Sequence, residues 1–162
     1  LARQRLKLVS LLQMTFPGVP CIYYGDEAGL AGYSDPFNRR TYPWGREDKD
    51  ILEWYKRIIG LRNGMDVLKT GEFIPVYCEN DVYGFVRRIQ GGRNVFGHQC
   101  KDGFALVLVN RSRYKAYTVK LNMIKWGVGR LTDILNNCAE FYAEDGYLTV
   151  EILPLKGRLI TG

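Results

Sequence analysis

The chain has 162 residues, 46% hydrophobic and 13% aromatic, with 23 Lys and Arg against 17 Asp and Glu for a formal charge of +6. That composition excludes disordered, collagenous and low-complexity classes, and the length suffices for one domain plus an appendage but not for two full domains. The longest clean apolar run, Phe104 to Val109, falls far short of the ~18 residues of a membrane helix, so no membrane partner is expected.

The positive charge is spread evenly. Residues 1–63 hold ten basic and seven acidic side chains and residues 64–162 hold thirteen and ten, with acids interleaved nearly everywhere except the first seven residues. A nucleic-acid binder concentrates its excess on one face or arm, so nucleic acid is not an expected partner. Cys21, Cys78, Cys100 and Cys138 lie far apart and His98 is the only histidine, which gives no zinc-ligand spacing; free, buried thiols are expected, with no metal and no cofactor.

Taken in order, Leu1, Leu8, Leu11, Leu12 and Thr15, with Val9 alongside, predict a helix from nearly the first residue to about Thr15. Nothing caps it, and Arg3, Arg5 and Lys7 crowd cations at the positive end of its dipole, which reads as a helix cut in its interior. The chain is therefore expected to be a fragment, so the lack of a leader says nothing about location. Phe16-Pro17-Gly18-Val19-Pro20 stops the helix. Cys21 to Tyr24, apolar without alternation, predicts a parallel strand covered on both faces. A loop rich in Gly, Pro and aromatics runs from Ala28 to Arg46, and a second helix spans about Glu47 to Asn63, with Ile51, Trp54, Tyr55, Ile58 and Ile59 on one stripe. A single parallel strand has no partners in this chain. It is expected to self-associate, to dock on a sheet edge, or to give up strand form.

From about Glu72 the period becomes two. Strands are expected near Glu72–Tyr77, Val82–Ile89, Phe104–Val109 (central, apolar on both faces), Tyr117–Leu121, Leu131–Leu135, Glu140–Tyr142, Leu148–Ile152 and Arg158–Thr161. The fold class that follows is mainly β: an antiparallel Greek-key β-sandwich over 65–162, preceded by an α-β-α unit over 1–64.

Polar and aromatic residues concentrate between Tyr24 and Trp44. Asp35 and Arg39 are four apart, and a turn begun at Pro36 would put them on one face, offering acceptors and a planar donor fork to a ligand dense in hydroxyls. Asp35 before Pro36 is equally an ordinary helix cap. Asp26 and Glu27 are neighbours leaving a strand, which point apart, whereas a retaining glycosidase holds two carboxyl groups ~5 Å apart across the scissile bond. Their expected role is structural, bonding amides of the loop. Tyr33, Phe37, Tyr42 and Trp44 either present rings to sugars or plug the domain's own top, and His98 between Gly97 and Gln99 reads as a surface residue.

The stretch PGVPCIYYGDE followed by GYSDPFNRRTYPWGRED, Pro17 to Asp48, resembles the eighth-strand region of the α-amylase family, nearest its neopullulanase, cyclomaltodextrinase and amylopullulanase branch. The resemblance implies that residues 1–64 are the seventh helix, eighth strand, eighth loop and eighth helix of a (β/α)8 barrel, and that 65–162 form the C-terminal sandwich. It also implies that Asp35 and Arg39 bind glucose units on the non-reducing side of the cleavage point of an α-glucan oligosaccharide. The family's three catalytic carboxylates follow the fourth, fifth and seventh strands, none of which this chain contains, so no catalytic residue is assigned and the chain alone is expected to be inactive. The rest of the barrel is the implied partner. The alternative is a structural or carbohydrate-associated module.

Overall fold

The computed structural model describes all residues, 1–162, as three layers. Helices α1 (Ala2–Thr15), α2 (Lys49–Gly64) and the short α3 (Asp66–Thr70) precede eight strands: β1 (Glu72–Glu79), β2 (Val82–Ile89), β3 (Gly103–Asn110), β4 (Tyr117–Asn122), β5 (Arg130–Asp133), β6 (Ala139–Tyr142), β7 (Tyr147–Ile152) and β8 (Gly157–Thr161). A six-stranded sheet runs β1-β2-β3-β8-β5-β6, and β4 pairs with β7 in a second sheet; every pairing is antiparallel.

Alternation along the strands builds two cores from one sheet. Phe85, Ile89, Ala105, Val107, Val109 and Leu159 point to the helices, where they meet Leu8, Leu11, Met14, Ile51, Tyr55 and Ile58. The opposite side chains, Val86, Leu106, Leu108 and Ile160, meet Val119, Leu121, Leu148 and Val150 of the small sheet. Strand β3 is buried on both faces, as the run Phe104 to Val109 demands; β2, whose alternation predicts one buried face, is buried on both because helices cover one side and the small sheet the other. The helix side is closed tightly: a Cβ at Gly157, where β8 begins, would run into the Leu11 side chain of α1.

The expected strand at Cys21–Tyr24 is absent. The segment takes no ladder partner; Cys21, Tyr23 and Tyr24 are exposed, and only Ile22 packs against the helix-side core. Of the three outcomes for an unpartnered strand, loss of strand form is the one observed, because each edge would carry unpaired amides and carbonyls that water satisfies better. Tyr24 (φ +48°) and Gly25 (φ +84°) then turn the chain through two left-handed residues in succession. The expectation of buried thiols is also corrected. All four cysteines are free, but Cys21, Cys78 and Cys138 are exposed and Cys100 is half-buried: they lie on the unpaired segment, on edge strand β1 and in turns rather than on core-facing positions.

α1 carries no side-chain cap, no acid in its first turn and no base in its last. Two of its three N-terminal cations are paired from elsewhere: Arg3 with Asp48 at 2.5 Å and Lys7 with Asp50 at 2.7 Å. Its C-terminal carbonyls are taken by two buried arginines. Arg62 donates to Met14, Phe16, Leu68 and Gly18, and Arg87 to Thr15 and Gly71. Neither guanidinium has a carboxylate partner, so burial pushes both down, Arg87 to about 10 with Arg62 adding repulsion. The negative end of the helix dipole and its orphan carbonyls stand in for the missing anion.

Candidate functional site

The loop that links the unpaired segment to α2 is organised by its main chain. Asp26–Ala28 forms one 3-10 turn between left-handed Gly25 and Gly29, closed by Asp26 N–H to Tyr23 O and Ala28 N–H to Gly25 O. Asp48 N–H donates to Ala28 O at 2.9 Å, and the Asp48 carboxylate accepts from Ile51 N–H as the cap of α2. A Cβ at Gly29 would lie 2.8 Å from Asp48 Cβ, so the glycine permits this close approach. The loop is thus fastened to the start of the helix that carries the core stripe.

Asp26 and Glu27 sit in that turn without accepting a side-chain hydrogen bond of normal geometry from the loop, which backbone bonds hold instead. Burial, with repulsion from Glu27 second, pushes the Asp26 carboxyl up against the opposing pull of the Tyr23 backbone.

Asp35 and Arg39 do meet. Turns closed by Phe37 N–H to Ser34 O and Arg39 N–H to Pro36 O bring them together, and Arg39 Nη2 lies 2.6 Å from Asp35 Oδ1. Both side chains remain open to water, at 58% and 64% exposure, so the pair is free to exchange its mutual bond for ligand hydroxyls. Tyr33, Phe37 and Trp44 of the same loop are exposed. Tyr42 and Trp44 lie with ring centroids 4.6 Å apart, tilted by 52°. Trp44 is exposed, and Tyr42 is half-buried.

Sequence reasoning singled out Asp35 and Arg39 but missed the neighbouring cleft of about 350 Å³ lined by Tyr24, Gly25, Leu30, Arg40, Thr41 and Tyr42. The signal was the same RRTY run, one residue further on. In that cleft burial raises the Tyr42 phenol, with Glu27 and Glu47 adding repulsion. His98 is exposed in its turn, remote in sequence from these groups.

The chain as a whole has known relatives. The amylopullulanase of Thermoanaerobacter thermohydrosulfuricus is 43% identical over 161 residues, 99% of this chain but 11% of that protein. A cyclomaltodextrinase of Thermoanaerobacter pseudethanolicus is 42% identical over 123 residues, 75% of this chain and 21% of that protein. Among solved structures, an Anoxybacillus α-amylase superposes with a TM-score of 0.82 at 23% identity, over 98% of this chain and 32% of that one. No protein-family model matches the chain. The chain spans a small share of the relatives it matches.

Proposed function

We infer that this chain, which in sequence and fold is of the α-amylase family, is the carboxyl-terminal part of a retaining glycoside hydrolase acting on α-1,4 or α-1,6 glucosidic bonds in starch, pullulan or cyclodextrins. The observation that carries the reading is the exposed Asp35–Arg39 pair on an aromatic loop. The carboxylate accepts from sugar hydroxyls and the guanidinium donates to their oxygens, so one turn grips a glucose unit through several directed bonds. Bond cleavage needs a nucleophilic carboxylate and an acid/base carboxyl ~5 Å apart. Asp35 is tied to Arg39, and Asp26 and Glu27 share one turn, so none of them supplies such a pair. In this reading the missing carboxylates come from the remainder of a barrel, docked where Val19, Tyr23 and Tyr24 now face solvent, and residues 1–162 alone are inactive.

In the longer enzyme, Arg39→Ala and Asp35→Asn should each lower kcat/KM on maltohexaose by roughly tenfold or more, about 1.4 kcal/mol of lost transition-state binding. Unchanged kcat/KM in both would remove the assignment. Sugar release from starch, pullulan or cyclodextrin by purified residues 1–162 would contradict the inactivity of the chain alone.

A structural role for the sandwich stands beside this one. Ile51, Tyr55 and Ile58 of α2 are buried with β2, β3 and β8, so the strands cover the helix on which the loop is mounted.

A further inference from the structure

The small sheet turns an unusual face to solvent. Along β4 and β7 the outward positions include Lys120, Thr149 and Tyr147, with Lys120 paired opposite Thr149. Around the corner, β6 ends in Tyr142, 59% exposed, and a tight hairpin through Asp145 (φ +49°) and Gly146 (φ +78°) brings the chain back as β7. The two tyrosines, Lys120, Glu144, Asp145 and Thr149 enclose a cleft of about 280 Å³.

Its chemistry is selective. Both aromatic residues are partly exposed, and the remaining walls are polar with no aliphatic side chain. Lys120 Nζ lies 4.7 Å from the Tyr147 ring centroid and covers one face. Tyr142 is oriented by its hydroxyl, which donates to Glu140 Oε2 at 2.9 Å, while Glu140 is itself paired with Arg130. Lys120, Thr149 and the Glu144 and Asp145 carboxylates form no salt bridge with one another. One cation against two carboxylates repels phosphates and nucleic acid. A neutral ligand with apolar C–H faces and many hydroxyls satisfies rings, donors and acceptors together.

We propose that this cleft is a carbohydrate-binding site separate from the Asp35–Arg39 loop, taking one or two glucose units of an α-glucan chain between Tyr142 and Tyr147. The choice of α-glucan rests on the function proposed above; the cleft itself rests on its own residues. Its volume is at the lower edge of the ~300–1,000 Å³ usual for ligand sites, which suits a short segment held weakly.

The test is a titration of the isotope-labelled 162-residue chain with maltohexaose, followed by amide shifts. Saturable shifts are expected at residues 142–149 and Lys120, with affinity lowered roughly tenfold by Tyr142→Ala and by Tyr147→Ala and retained in Tyr142→Phe. If Tyr147→Ala unfolds, the more exposed Tyr142→Ala decides. Shifts confined to residues 33–44, shifts at the cleft that survive both alanine variants, or inorganic pyrophosphate binding there in place of sugar would each overturn the proposal. Arg39→Ala leaves this cleft untouched, so failure here and failure of the Asp35–Arg39 assignment are read independently.

Discussion

Arg62→Met removes four donated bonds while keeping most of the buried aliphatic volume. Nη1 reaches Met14 O at 2.7 Å, Leu68 O at 3.1 Å and Phe16 O at 3.2 Å, and Nη2 reaches Gly18 O at 2.6 Å, from a side chain only 6% exposed. The bonds to Met14 and Leu68 are buried, so water cannot replace them. Bonds from a charged donor contribute about 1.5–3 kcal/mol each, which puts the loss from these two at about 3–6 kcal/mol. Relief from burying a cation without a carboxylate offsets part of it. A net destabilisation of about 3 kcal/mol is expected, about 6–12 °C in Tm for a chain of this size. Arg62→Lys should recover less than half, because one ammonium cannot span from Met14 to Gly18. Guanidinium unfolding at constant slope measures the loss, and hydrogen exchange in the last turn of α1 should accelerate selectively. A variant within about 0.5 kcal/mol of the parent would mean that the arginine does not hold the end of α1, and the reasoning would fail.

Three further outcomes follow from the same geometry. Because burial pushes the Arg87 guanidinium down to about 10, above about pH 10 the folded chain releases a proton that the unfolded chain still holds. Stability from this group therefore rises as pH climbs above about 10, by up to ~1.4 kcal/mol per unit, and the parent should gain on Arg87→Met between about pH 9 and 11; a constant difference refutes it. Gly157→Ala forces a methyl into Leu11, with Leu108 O at 3.4 Å and Leu8 Cδ1 at 3.5 Å, and should cost about 1–3 kcal/mol by urea unfolding. Asp35→Asn and Arg39→Ala, by contrast, remove only an exposed ion pair and should leave unfolding of this chain unchanged within about 0.5 kcal/mol, so a larger loss would assign the pair to stability.

The strands were legible because their signal is local. Val82 to Ile89 and Tyr117 to Leu121 alternate in the sequence and occupy β2 and β4 nearly residue for residue. The turn at Glu144-Asp145-Gly146 was equally readable from residue types that tolerate positive φ. Cys21 to Tyr24 forms no strand here because its apolar run reports burial, and burial needs neighbours that this chain does not supply. The five residues of α3 were missed since a single turn has too little periodicity to detect. Arg87 was visible only as one member of an alternating strand; that it lies 1% exposed against α1 follows from a contact across 72 positions. At the candidate site, Asp35 and Arg39 were found from four-residue spacing, whereas Tyr24 and Thr41 converge on one cleft only once the chain has reversed at Gly25.

Ile51 on α2 and Ala105 on β3 are both wholly screened from solvent within a single cluster. A swivel between the helical stretch and the strands would have to prise that cluster open at its driest point. The loop that carries Asp35 and Arg39, fastened to the head of α2 by Asp48, is therefore held in place relative to the sandwich by the same cluster that holds the helix.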